Sequence, residues 1–260
     1  MVSVRSLAAS ILPLASMAAA LPLEDGGVSI NIVGGTTATI SEFPYIVSLT
    51  EGGSHFCGGV LLNANTVLTA GHCSEGVRAS AVKVRAGTAT WASGGKQVAV
   101  SSIKIHSSYT VKDDIPYNDI AIWKLSSTIA ESSTIKYAAL PAQGSDPSAG
   151  TSVTVAGWGL TTETGTSVVS ALRKVTVSVV SRATCRSQYG TSSISDVMWC
   201  AGATAGGKDA CSGDSGGPIV KSSGTLLGIV SWVNGCARKG YAGVYTRVGS
   251  FIDWINTNKA

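Results

Sequence analysis

Short apolar runs rich in Val, Ile and Thr recur along this chain, each bounded by Gly, Ser, Asn or Asp. Residues 45–49, 82–85, 98–100, 153–155, 175–179 and 226–230 are of this kind. Branched and aromatic side chains fit the pleated, half-buried surface of a strand better than a helix. Short strands separated by turn signals predict an all-β sandwich or barrel. Helical periodicity is absent until the end, where Val248, Phe251, Ile252 and Ile255 share one face and Ser250 stands as the N-cap. The pattern therefore predicts β-structure closed by one C-terminal α-helix. Residues 126–152 are rich in Ser, Ala and Pro and weakly periodic, which marks them as a connector between two halves.

Composition removes other classes. Only 13% of the 260 residues are charged, while 44% are apolar. A globular chain usually carries about 25% charged residues, and a disordered one has more charge and fewer apolar side chains. The net charge of +4 is small and dispersed, so no nucleic-acid partner is expected. No internal segment is long enough to span a bilayer, so no membrane association is expected either. The 31 glycines suit a compact β-protein with tight turns.

The N-terminus sets the compartment. Residues 1–20 hold one basic residue, Arg5, then a short apolar run ending in Ala18 and Ala20. That is the pattern of a secretory signal peptide cleaved after Ala20. Residues 21–31 have no strand or helix period and read as a propeptide. The pattern changes at Ile32, so 32–260 is the working domain. Export into an oxidising compartment favours disulfides for the six cysteines. Zinc is the rival reading, but the chain has no Cys-x-x-Cys pair.

Three local patterns carry chemistry: Leu-Thr-Ala-Gly-His-Cys at 68–73, Asn-Asp-Ile-Ala at 118–121 and Cys-Ser-Gly-Asp-Ser-Gly-Gly-Pro at 211–218. Singly, each has a plainer reading: a structural histidine, a solvated or capping aspartate, a glycine turn. Together they form a complete set. A serine hydroxyl needs a base to take its proton, and histidine has a suitable pKa. The histidine needs a carboxylate to fix its tautomer, and glycines beside the serine let backbone N–H groups reach a developing oxyanion.

These segments resemble the chymotrypsin–trypsin family of serine endopeptidases, in that family's chain order of His, Asp, Ser. Ile-Val-Gly-Gly from Ile32, Ala-Gly-Trp-Gly from Ala156 and Ser231-Trp232 match it too. The resemblance implies two antiparallel six-stranded β-barrels with a C-terminal α-helix. It implies His72, Asp119 and Ser215 as the catalytic residues and the N–H groups of Gly213 and Ser215 as the oxyanion hole. It selects the disulfides Cys57–Cys73, Cys185–Cys200 and Cys211–Cys236. It further implies an inactive precursor, in which cleavage before Ile32 frees an amine that pairs with Asp214.

By the same resemblance, Asp209 is the floor of the primary specificity pocket, where an acid pairs with Arg or Lys. Ser231, Trp232, Val233 and Gly243 line that pocket. Two positions depart from trypsins. Asn31 precedes the cut where trypsin precursors usually present a basic residue, so a different activating protease is expected. Val233 stands where trypsins usually have glycine, which leaves an elastase-like or altered specificity open. A non-enzymatic binding protein on the same scaffold is the remaining rival. The expected partners are protein or peptide substrates, proteinaceous inhibitors and an activating protease, and the expected state is a monomer. No cofactor or metal is expected. Residues 76–112 contain no Asp or Glu for calcium, and no Asn-x-Ser/Thr sequon occurs.

Overall fold

The computed structural model describes residues 32–260. The expected signal peptide and propeptide lie outside them. After a two-residue strand, β1 (Thr36–Thr37), come β2 (Ile46–Glu51), β3 (Ser54–Asn63), β4 (Thr66–Thr69), β5 (Val82–Ala86) and β6 (Lys96–Ile105). A small hairpin, β7 (Thr110–Lys112) and β8 (Ile115–Tyr117), precedes β9 (Ala121–Leu125). The second half holds β10 (Ser152–Gly157), β11 (Arg173–Val180), helix α1 (Arg182–Tyr189) and β12 (Met198–Gly202). Then follow β13 (Pro218–Lys221), β14 (Leu226–Trp232), β15 (Gly243–Arg247) and helix α2 (Ile252–Asn258).

Two antiparallel barrels result. The first closes in the order β2-β3-β4-β9-β6-β5. The second runs β11-β10-β13-β14-β15-β12 and closes through the β11–β12 pairing, with β1 added outside β11. Alternation drives both. In β5, Val82, Val84 and Ala86 face inward while Lys83 is exposed, and in β11 Val175, Val177 and Val179 alternate with exposed Thr176 and Ser178. Each buried valine is worth roughly 1.5–3 kcal/mol against exposure. Closure also removes the free edges on which other chains could pair.

The barrels share a core. Trp123 and Leu68 from the first pack in one buried cluster with Trp158, Ile229 and Phe251. No strand lies in 126–151, the segment that leads from the first barrel to the second. Three disulfides brace the molecule, Cys57–Cys73, Cys185–Cys200 and Cys211–Cys236. Loops of this length are each worth about 3 kcal/mol in the chain-entropy model.

Two local expectations differ. Ser250 does not cap the last helix. It is spent in a 3-10 turn, Val248–Ser250, whose Val248 carbonyl accepts from Phe251 N–H, and α2 starts at Ile252 without a side-chain cap. Helix α1 has no apolar stripe to betray it, because only Cys185 is buried. Ser181 caps it by accepting from Thr184 N–H at 3.1 Å, and the bridge to Cys200 anchors it.

Candidate active site

His72 follows β4 and Asp119 precedes β9, adjacent strands of the first barrel. His72 Nδ1 lies 2.8 Å from Asp119 Oδ2, and His72 backbone N–H donates to Asp119 Oδ1 at 2.8 Å. A carboxylate only accepts, so Nδ1 carries the proton and Nε2 is left with its lone pair. Asp119 is 2% exposed. Two further donors hold it: Ser231 Oγ reaches Oδ2 at 2.6 Å, and Thr246 Oγ1 reaches the Asp119 carbonyl at 2.7 Å. Burial pulls the His72 pKa down, but the hydrogen bond and charge of Asp119, with the charge of Glu75, leave it raised.

Ser215 comes from the second barrel, on the loop before β13, and its carbonyl accepts from Gly58 N–H of the first at 2.8 Å. No hydrogen bond joins Ser215 Oγ to His72 among the described residues; catalytic bonds of this kind commonly tighten only when substrate binds. The backbone N–H groups of Gly213 and Ser215 donate to no acceptor among the described residues. Gly213 has a φ of 94°, a left-handed conformation that suits glycine. His55 props this peptide from behind. Its Nε2 donates to the Gly213 carbonyl at 2.9 Å and its Nδ1 accepts from Ser48 Oγ at 2.8 Å. Burial pushes the His55 pKa down to about 4, so it is neutral near pH 7.

Ser215 borders a cavity of about 350 Å³ that Asp209, Val233, Gly243 and Tyr245 also line. Ser231 and Trp232 line both this cavity and a separate cleft beside His72. Asp209 is 1% exposed. Its oxygens accept from Ala210 N–H at 2.8 Å and Ala237 N–H at 3.3 Å, yet burial dominates and pushes its pKa up to about 7. No salt bridge reaches it among the described residues. A Cβ on Gly243 would stand 2.5 Å from Asp209 Oδ1 and 3.0 Å from the Tyr245 hydroxyl. The Tyr245 hydroxyl is buried without a partner among the described residues. The cavity lining thus includes a carboxylate with no cationic partner and a hydroxyl with no partner among the described residues.

Ile32 is fully buried in the core of the second barrel. Asp214 is also fully buried, accepts from Gly159 N–H at 2.8 Å and Cys211 N–H at 3.0 Å, and is pushed up to about 6 by desolvation. No ion pair joins it to a cationic side chain among the described residues. Ligand atoms of Cys57, His72 and Cys73 lie within 4.8 Å of one another, but both sulfurs are bonded to each other and hold no metal-binding thiolate. The bond from Ser231 to Asp119, the His55 prop and the unpaired Tyr245 hydroxyl were not legible in the sequence. Each depends on segments far apart in the chain, and none carries a local motif.

Two closed β-barrels, with a histidine–carboxylate pair on the first and a serine on the loop before β13 of the second, are the arrangement of a class of protein, the serine endopeptidases. Within that class this chain belongs to the trypsin family: residues 32–255 match the family model "Trypsin". It is similar to Trypsin delta of Drosophila erecta, 45% identical over 240 residues that cover 92% of this chain and 90% of the relative. It is similar to Trypsin alpha of Drosophila melanogaster, 46% identical over 237 residues, 90% of this chain and 88% of the relative. Trypsin Blo t 3 of Blomia tropicalis is 44% identical over 255 residues, 93% of this chain and 94% of that protein. The chain is a hydrolase that acts on protein or peptide substrates.

Proposed function

We propose that this chain is a secreted endopeptidase that cuts after Arg or Lys through an acyl-enzyme made on Ser215. The observation that carries the specificity is the buried, unpaired Asp209 at the floor of the cavity that Ser215 borders. A buried carboxylate without a partner is unfavourable, and an Arg or Lys side chain supplies the missing charge. Its N–H donors would meet Asp209, and the spare Tyr245 hydroxyl would take part in the same polar floor.

In the reaction, His72 Nε2 takes the Ser215 proton as Oγ attacks the scissile carbonyl. Asp119 keeps Nδ1 protonated and stabilises the imidazolium. The free N–H groups of Gly213 and Ser215 receive the oxyanion, each such donor being worth about 3 kcal/mol. His72 then gives its proton to the leaving amine, and water attacks the acyl-enzyme with His72 again as base.

Residues 1–20 act as the signal and 21–31 as a propeptide, and three disulfides fit an oxidising compartment. Cleavage before Ile32 frees an amine for Asp214, whose buried carboxylate has no cationic partner among the described residues. Asn31 makes the activating protease a different enzyme. Val233, on the cavity wall, favours a second reading, elastase-like or altered specificity. A fluorophosphonate that labels Ser215, followed by kinetics on peptides with Arg, Lys or Ala before the scissile bond, decides among these. Preference for Ala removes the role given to Asp209, and failure to label removes the enzyme reading altogether.

A further inference from the structure

A second carboxylate reaches the cavity. Glu163, from the loop between β10 and β11, lines it at the mouth, and unlike Asp209 it is already paired. Arg238 Nε donates to Glu163 Oε2 at 3.0 Å, and Nη2 lies 2.5 Å from Oε1. This is a two-pronged fork, the geometry that makes arginine–carboxylate pairs directional. It joins loops 75 residues apart. Gly235, on the cavity wall just after Val233, packs against the fork so closely that a Cβ would run into both Arg238 Nε and Glu163 Oε1.

Both ends of the fork lead to the site. Next to Arg238, Ala237 gives its N–H to Asp209 Oδ2 and its carbonyl to Gly207 N–H at 2.8 Å. Ala237 sits at a φ of 57°, a conformation that a residue with a Cβ adopts only when its surroundings enforce it. At the other end, Leu160 N–H donates to the Ser212 carbonyl at 2.8 Å, tying the Glu163 loop to the segment before Ser215.

We propose that Glu163 and Arg238 form a latch across the cavity mouth, a positioning pair that holds the wall from 233 to 237, and through Ala237 the Asp209 carboxylate, ready for a cationic side chain. The proposal rests on the reading of Asp209 as the recognition group. The pair touches neither the reacting atoms nor His72, so it acts on binding rather than on the chemical step.

A latch and a simple field effect differ in sign. If only charge mattered, Arg238→Gln would bare Glu163 and strengthen cation binding, while Glu163→Gln would bare Arg238 and weaken it. A latch fails the same way in both. The test compares the mature enzyme with Glu163→Gln, Arg238→Gln and the exchanged pair Glu163→Arg/Arg238→Glu. Each is normalised by titration of reactive Ser215, and the readouts are the benzamidine inhibition constant and kcat and KM on Arg, Lys and Ala peptides. Both single variants are expected to raise KM and the inhibition constant about three-fold, the scale of an exposed pair. Their kcat stays within about two-fold, high salt narrows the gap, and the exchanged pair recovers most of the loss. Opposite shifts in the two singles, no shift, or a loss confined to kcat would overturn the latch. If the unmodified enzyme itself shows no preference for Arg or Lys over Ala, the Asp209 reading fails and the latch with it. A preserved preference with unshifted variants overturns the latch alone.

Discussion

Replacing Asp209 by Asn is expected to stabilise the empty protein while removing its affinity for cations. Burial raises the Asp209 pKa from 3.8 to about 7. At 1.36 kcal/mol per unit, keeping that carboxylate ionised in an empty cavity costs about 4 kcal/mol. The sign follows from proton linkage. The folded chain holds this proton more tightly than the unfolded chain, so the cost is absent below about pH 4, grows between there and pH 7, and is complete above. Asn carries no charge and escapes the cost. Its one carbonyl keeps the Ala210 N–H bond, but its amide group then faces Ala237 N–H, and that lost bond returns about 1–2 kcal/mol. The net gain near pH 8 is about 2–3 kcal/mol. In a domain of this size that is roughly 4–12 °C in Tm.

The assay is thermal unfolding of the two proteins in a Ser215→Ala background, which prevents self-digestion. The Tm difference should be several degrees in favour of Asn near pH 8 and should reverse to a few degrees in favour of Asp near pH 4, where only the lost Ala237 bond remains. Calorimetry with benzamidine gives the other half. Truncating one partner of a buried charge pair costs about 2–5 kcal/mol, so Asp209→Asn should bind at least about 30-fold more weakly at pH 8. With Asp209 intact, benzamidine affinity should fall as pH drops through about 7, approaching ten-fold per unit. A Tm difference that does not change between pH 4 and 8, or benzamidine affinity that stays flat from pH 5 to 8, would refute the reasoning.

Ser231→Ala removes the 2.6 Å bond onto Asp119 Oδ2. Hydrogen bonds to charged groups are worth about 1.5–3 kcal/mol, so Tm should fall by several degrees and kcat/KM should fall as Asp119 loses a partner that holds it; an unchanged Tm with a kcat/KM loss under two-fold would show that Asp119 needs no such donor. The pH profile of kcat/KM should be bell-shaped. Its acid limb is the protonation of His72, whose pKa is raised, and its alkaline limb is loss of the proton from the freed amine opposite Asp214. The raised His72 pKa adds stability that is complete at low pH and lost as pH rises through the folded value. Flat activity down to pH 4 would exclude His72 as the base. Asn31→Lys should make the precursor self-activating, and a purified variant that stays intact when seeded with mature enzyme would contradict the stated specificity.

Much of the β-structure was legible because alternation is local. Residues 175–179 read as a strand since Val175, Val177 and Val179 face one core and the residues between them face water. Strands buried on both faces, such as β3 and β12, lack that signature: β12 is buried at every position. Helix α1 was hidden for the opposite reason, too few buried residues to set a period. Ser250 had the chemistry of a cap, but the chain spends it in a turn that precedes the helix.

The sequence by itself determined the local chemistry. A histidine, an aspartate and a serine sat in three recognisable segments, with glycines where a backbone must come close. Proximity was decided only by the tertiary structure. Barrel closure puts Asp119, just before β9, beside His72, 47 residues away, and brings Ser231 across 112 residues to complete its partners. It buries Asp209 until its charge becomes unfavourable without a ligand, props Gly213 on His55, and sets Glu163 against Arg238 at the cavity mouth. The physical reason is common to all of these. Burial and hydrogen-bond distance belong to residues that meet through folding, and no window along the chain contains both partners.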